Sequence, residues 1–468
     1  MIELFASLRT PWKSRLFALI MAETAAGLET TLVFAALPTL MRTLHQPVLA
    51  AWLITAYLLV SASSAAAGAR LGDLFGRKKV LAAVLFAASL GSLISFTVSD
   101  IRWIVAGRAI QGLAGAVLPL CYGIARECLP QEKVPVGIGA VNAANGLCAA
   151  IGFVLGGLIV DHAQWQYVFA CSGIICALAL LSLAFIPASP ARSGAPQSDL
   201  LGGLLFTPAV AVLLWAITAF QSGGAAHFSS WAWLAASLVL LAGWAWHEAR
   251  HPFPLIDVRL LARRDILICN VAVIGASLGS LQVLQVFPLL LQQPVWTGVG
   301  FGVTATLTGL LKLPSNLASA ASATWAGDLC RRIGARGVVI AGAWSSFLAW
   351  TILAFDHSSL WLTVLLSCMS ASGFAILFTG TINIIVKAAP SDRTSEATAM
   401  TVTIRTVAQT IGSQIILVVF ARSMVHANGL SFSSPLAFTL VFGFLSAVSA
   451  ISIVAAPLLP KAKVDPVC

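Results

Sequence analysis

Gly68-Ala69-Arg70-Leu71-Gly72-Asp73-Leu74-Phe75-Gly76-Arg77-Lys78-Lys79-Val80 is the most polar stretch in the first hundred residues, and it sits between two long apolar runs. Gly68, Gly72 and Gly76 recur every four residues, a spacing that lets helix backbones approach closely. Asp73 is followed by Arg77, Lys78 and Lys79, so an acid and three bases stand where one apolar run ends and the next begins. A plain basic loop accounts for the bases. It leaves the glycine spacing and the acid unexplained.

The chain around this stretch has 468 residues, 59% of them hydrophobic and 9% charged, against about 25% charged in a typical soluble domain. That balance excludes a soluble enzyme and indicates a polytopic protein whose surroundings are the lipid bilayer. A formal charge of +10 could suggest nucleic acid. The bases, however, are dispersed in short loops rather than gathered on one face, so no nucleic-acid partner is expected. Nine cysteines are scattered singly with no C-x-x-C and no metal-ligand spacing, and they read as small apolar side chains. The seven histidines are dispersed, and neither paired catalytic acids nor a Ser-His-Asp arrangement stands out. No metal, cofactor or enzymatic activity is expected. The chain also lacks a G-x-x-x-x-G-K-[ST] phosphate loop, so no ATP-driven activity is expected.

Crossing the hydrocarbon core takes about 20 apolar residues. On that rule fourteen spans are expected, at 16–38, 50–69, 80–97, 103–125, 137–159, 167–187, 201–220, 230–247, 266–291, 302–325, 337–355, 360–386, 397–421 and 435–459. Arg9, Lys13 and Arg15 precede the first run as they would in a signal peptide. That run is long, contains Glu23 and Glu29 and leads directly to a second, so it reads as an uncleaved span. With the N-terminus inside, outside segments hold only Arg42, Arg102 and Arg422, and Arg108, Lys312 and Arg405 fall within spans. Every other base lies in an inside segment. Both termini are therefore expected in the cytoplasm. The absence of N-x-[ST] sequons and of long outside loops points to a bacterial inner membrane.

As it stands, the opening stretch resembles the G-x-L-x-D-r-x-G-R-k-x motif between spans two and three of major facilitator superfamily transporters. Leu71, Asp73, Gly76, Arg77 and Lys78 match in register; Ala69 replaces the first glycine and Leu74 a less strict basic position. Gly327-Asp328-Leu329-Cys330-Arg331-Arg332-Ile333-Gly334 echoes it, with three extra residues before the second glycine. The two copies sit at equivalent places if residues 1–188 form one six-helix bundle, 189–265 a linker with two inserted spans, and 266–468 a second six-helix bundle. The resemblance implies an all-α major facilitator fold around a midplane cavity. It further implies that Gly68, Gly72, Asp73, Gly76, Arg77, Lys78, Arg126 and Asp328 form a gating latch, with Asp73 against the positive N-terminus of span thirteen near Thr394-Ser395-Glu396.

Glu23 and Glu29 are the acids that lie well inside a span, and a carboxylate in apolar surroundings tends to hold a proton. Six positions apart, they do not share a helix face, so one of them is expected to line the cavity. Leu28-Glu29-Thr30-Thr31-Leu32 through Ala36-Leu37-Pro38 resembles the first-span signature L-D-x-T-x-x-x-x-A-L-P of fourteen-span drug:proton antiporters, with Glu for the usual Asp. The resemblance makes Glu29 the favoured proton-coupling residue, with Glu23 second. Arg108, in Arg108-Ala109-Ile110-Gln111-Gly112-Leu113-Ala114-Gly115-Ala116, resembles the superfamily's R-x-x-Q-G-x-g-a motif and would join them. Gln111, Asn142, Asn145, Gln282, Gln285, Lys312 and Arg405 are the candidates for the substrate cavity. Interhelical hydrogen bonding is the competing role for the amides. Lys312 could equally pair or snorkel.

Span five departs from the antiporter pattern G-x-x-x-G-P-x-x-G-G. Gly152, Gly156 and Gly157 remain to pack helices closely, but Cys148 replaces the first glycine and Phe153 the proline, removing its kink. Export of a small amphipathic compound against protons, by a chain working as a monomer, is the expectation. A proton symporter or facilitator importing a metabolite is the alternative that Phe153 favours, and a transport-inactive membrane sensor is a third. An anionic or neutral substrate is as defensible as a cationic one, given Arg108, Lys312 and Arg405.

Overall fold

Apolar runs in lipid become helices because each backbone N–H and C=O must find its partner within its own segment. The computed structural model describes residues 11–43, 47–188, 200–223, 227–251, 258–390, 394–427 and 430–460, and they are almost entirely helical. Helices α1 (Pro11–Thr43), α2 (Pro47–Phe75) and α3 (Arg77–Thr97) open the chain. Next, α4 (Ile101–Gln111) runs through a 3-10 turn, Gly112–Ala116, into α5 (Val117–Cys128). Its start is fixed by Asp100, whose carboxylate accepts from Arg102 N at 2.9 Å. Then come α6 (Val134–His162) and α7 (Tyr167–Ser182), followed by α8 (Leu200–Gly223) and α9 (Phe228–Arg250).

The rest comprises the short α10 (Val258–Leu261), α11 (Arg264–Gly279), a 3-10 turn at Ser280–Gln282, α12 (Val283–Leu291), α13 (Ala305–Phe355), α14 (Leu360–Ala388), α15 (Thr394–Arg422) and α16 (Pro435–Ala455). Among the described residues, eleven helices are long and apolar enough to cross a membrane, and the chain is an integral membrane protein. Three of the fourteen expected spans fall short of that standard. The second and seventh contribute only the shorter apolar helices Leu49–Ala65 and Leu205–Phe220, and the tenth is the first part of α13, whose qualifying segment is Arg332–Phe355.

Within α13 the backbone leaves helical geometry at Gly334 (φ 79°), and Gly76, between α2 and α3, has φ 92°. These are the second glycines of the two motif copies. Both take a conformation that glycine alone adopts freely, so the repeat seen in sequence is also a repeat of backbone geometry. A short hairpin joins α15 to α16, with Met424–Ala427 antiparallel to Leu430–Ser433.

The apolar core is divided in a telling way. One cluster draws on both halves of the chain: Leu28 to Phe169 on one side and Val283 to Leu445 on the other. A second contains only residues between Ala18 and Ile186, and a third only residues between Leu260 and Leu459. The shared cluster lies toward the end that carries Thr43, Pro47, His162, Leu291 and Ala305. The separate ones lie toward the base-rich end, where α1 begins and α2 meets α3. Helices α8 and α9 pack on each other through Phe206 and Trp244 (4.9 Å) and Phe220 and Trp231 (5.1 Å), and on α2 through Trp215 and Trp52 (5.9 Å).

Candidate functional site

Five charged side chains are buried among the described residues: Glu23 and Glu29 on α1, Arg108 on α4, Glu248 near the end of α9 and Lys312 on α13. Glu29 points between α3 and α7. Its Oε1 accepts from Ser172 Oγ at 3.3 Å and Cys176 Sγ at 3.4 Å and lies 3.5 Å from Ser92 Oγ, while its Oε2 has no partner. Glu23 looks toward α6, where Asn145 Nδ2 donates to its Oε1 at 2.5 Å and Oε2 again stands alone. Asn145 is itself exposed. Glu23 is thus the acid next to open space, and Glu29 is enclosed by its own bundle. The 240° between them, expected from helix geometry, sends them to different neighbours.

A buried oxygen with no donor beside it suits a protonated carboxyl better than a carboxylate. Arg108 is met on every side. It donates from Nε to Leu53 O at 2.9 Å and from Nη1 to Glu29 O at 3.2 Å and Gln111 Oε1 at 2.8 Å, and its guanidinium stands 4.3 Å over the Tyr57 ring. Gln111 completes the chain by donating to Ser92 Oγ at 2.6 Å. Arg108 and Glu29 are therefore joined twice, through the Glu29 backbone and through Gln111 and Ser92. Ser92, Ser172, Cys176 and Tyr57 were not singled out in the sequence. Small polar residues inside an otherwise apolar span, as at Ser92 and Ser95, were the available signal.

In the other half of the chain, Gln282 Nε2 donates to Ser277 O and Gln409 O, both at 3.0 Å. Gln285 donates to Gln282 Oε1 at 2.9 Å and accepts from Ser413 Oγ at 2.8 Å. Both glutamines thus bind helices together. Lys312 and Arg405 lie 5.1 Å over the rings of Phe287 and Phe378 respectively. The side chain of Asn142 lies outside the described residues.

The motif residues occupy the base-rich end. Gly68 and Gly72 have no room for a Cβ, which would come within 2.3 Å of Ala116 Cβ and 2.6 Å of Leu120 Cδ2. Arg77 pairs with Glu127 at 3.0 Å and Lys78 donates to Ile186 O, both within residues 11–188. Arg126 and Asp328 are exposed. The side chains of Asp73 and of Thr394, Ser395 and Glu396 lie outside the described residues, and with them the latch expected there.

At the opposite end the two halves of the chain touch. Arg42 donates to Gln292 O, and Gln292 Nε2 to Ala35 O at 3.3 Å. Asp161, at the end of α6, accepts from Ala305 N at 3.1 Å and Thr306 N at 2.7 Å, capping the start of α13 across the interface. Of the span-five glycines, Gly152 and Gly156 press on Thr31 and Leu32 of α1. Gly157 presses on Ala305, where a Cβ would come within 2.4 Å of the carbonyl oxygen. Phe153 is fully buried in an unbroken α6.

Comparison with known proteins agrees with this architecture. The family model described as Major Facilitator Superfamily matches residues 19–413. A uridine/deoxyuridine transporter of Lactococcus lactis subsp. cremoris is 29% identical over 381 residues, 79% of this chain and 78% of the relative. A tetracenomycin C resistance and export protein of Streptomyces glaucescens is 25% identical over 417 residues, 88% of this chain and 76% of that one. The crystal structure of the nucleoside transporter NupG superposes with a TM-score of 0.65 at 13% identity, covering 95% of this chain and all of that one, a likeness of fold. With its helical membrane architecture, its buried ionisable network and a family match over most of its length, the chain belongs to the Major Facilitator Superfamily of transporters.

Proposed function

We propose that the chain exports small amphipathic compounds in exchange for protons by alternating access, in the manner of the fourteen-span drug:proton antiporters. The fourteen spans are arranged as two bundles, residues 1–188 and 266–468, with α8 and α9 inserted between them and the base-rich end in the cytoplasm. The observation that carries this reading is the pair of buried carboxylates on α1, each with one oxygen unpartnered. With the cavity open outward, Glu29 takes up a proton and substrate leaves. After reorientation the proton goes to the cytoplasm and substrate returns. Glu23, beside exposed Asn145, stands on the way. A proton moving down 100 mV supplies about 2.3 kcal/mol, which supports accumulation of tens of fold.

Contact at the Thr43 end, together with separate cores at the base-rich end, supports an inward-facing arrangement. The Streptomyces export protein supports the direction. Import on the same fold is the second reading, favoured by the uridine/deoxyuridine transporter relative and by Phe153 in an unbroken α6. Proteoliposomes under an imposed pH gradient decide between them. Release of protons from acid-loaded vesicles on adding a compound, abolished by Glu29→Gln, supports exchange. Entry of compound together with protons, or flux indifferent to Glu29→Gln, removes the export reading.

A further inference from the structure

The halves of the chain also meet through the inserted helices. Gln414 of α15 is fully buried. Its Oε1 accepts from Thr55 Oγ1 of α2 at 2.6 Å, and its Nε2 donates to Thr218 Oγ1 of α8 at 2.8 Å. One amide therefore ties together α2, α15 and α8. Apolar packing follows the same pattern. Leu59 of α2 forms a buried cluster with Phe206, Val210 and Leu214 of α8, and Val407 and Ile411 of α15 lie against it. The hydrogen bonds at the Thr43 end join α1 and α6 to Gln292 and α13, so the Gln414 junction is a second seam, made by other helices.

The chemistry of this junction suits a contact that is made and broken. Each threonine hydroxyl has a second acceptor within its own helix, Ala51 O at 3.1 Å from Thr55 Oγ1 and Leu214 O at 3.0 Å from Thr218 Oγ1. A hydroxyl released from Gln414 still has the carbonyl four residues earlier to turn to. The threonines therefore lose little when the helices part, and the loss falls on the amide. Next to it on α15, Ser413 donates to Gln285 of α12 at 2.8 Å. A shift of α12 thus reaches the junction through two adjacent residues.

We propose that α8 is a working part of the transport cycle, a strut that holds α2 against α15 through Gln414 in the arrangement seen here and lets go when the Thr43 end opens. This rests on the alternating-access reading above, but on neither its direction nor its proton. The inserted pair then sets the balance between the two arrangements, and it does so from outside the acid and arginine network of α1 and α4.

The test is the rate at which a membrane-impermeant thiol reagent labels Thr306→Cys, beside the Gly157–Ala305 contact, with the protein lacking that substitution giving the background of native cysteines. Loss of one interhelical hydrogen bond from one arrangement shifts the balance by about threefold. Thr218→Val, Thr218→Ala and Thr55→Val should each speed labelling by about that factor, and Thr218→Ser should keep the wild-type rate. Gln414→Leu loses both bonds and should speed it about tenfold. Thr218→Val added to Gln414→Leu should change nothing further, because the partner has already gone. Val210→Ala loosens the same packing and leaves the amide alone, so it should lower the Tm without this acceleration. The strut is overturned if the Thr218 variants label at the wild-type rate, whatever their Tm. It is overturned equally if Val210→Ala accelerates labelling as much, or if Thr218→Val adds in full to Gln414→Leu. These readouts use neither substrate nor a proton gradient, so flux with Glu29→Gln can fail while the strut stands, and the reverse.

Discussion

The two ends of the helix bundle pack in different ways. At the end carrying Thr43 and Ala305, the halves of the chain share one apolar cluster, and their backbones meet with no side chain between Gly157 and Ala305. At the base-rich end each half keeps a cluster of its own, and the Arg77–Glu127 pair stays inside one of them. Cohesion between the halves is thus concentrated at one end, in contacts made by glycine, a capping carboxylate and a few amides. An equilibrium between two arrangements can be moved by a proton or a ligand only if they differ by a few kcal/mol. Contacts of this kind are of that size.

The largest way to disturb this difference is to remove the driving force. Glu29→Gln is expected to lower proton-coupled flux in proteoliposomes by about a hundredfold, within the range of a site-to-site coupling, while the Tm holds or rises. Next in size is Gly157→Val. Its Cβ branch meets the Ala305 backbone and costs the closed end about 1–3 kcal/mol. Labelling of Thr306→Cys by a membrane-impermeant thiol reagent should then speed up about tenfold per 1.4 kcal/mol. Asp161→Asn keeps the volume but removes the charge from the start of α13, costing about 1 kcal/mol. The same labelling should rise about fivefold, and no change would mean that the cap does not hold this end.

The smallest effect belongs to the base-rich end. Arg77 and Glu127 are 20% and 30% exposed, so Arg77→Gln should change stability by no more than about 0.5 kcal/mol. A larger loss of Tm would show that the separate cores depend on that pair. If transport nevertheless falls severalfold, the residue acts in the opposite arrangement, as the expected latch with Asp73 requires.

Much of the helical architecture was legible because a bilayer imposes one length and one composition on every span. Leu49–Ala65 and Leu205–Phe220 are the described apolar parts of the longer helices Pro47–Phe75 and Leu200–Gly223. The hairpin after α15 escaped notice, although Asn428-Gly429 is a dipeptide suited to a two-residue turn. The acids were legible as buried, since no other charged residue lies between Arg15 and Arg42. Their surroundings were not. Ser92, Ser172 and Cys176 reach Glu29 from helices far along the chain, and periodicity gives a residue's face without naming what that face meets. Arg108 was expected near a glutamate and is, but it holds the backbone of Glu29.

Gly76 and Gly334 have a bearing on how the molecule tolerates change. Each sits where one helix gives way to the next, in a region of conformational space closed to side chains by their own Cβ. Gly334 has nothing within 4 Å of where a Cβ would be, so its restriction comes from torsion rather than from crowding. In a library of random variants, the two positions should therefore be intolerant together. Both carry the same positive-φ turn between consecutive helices.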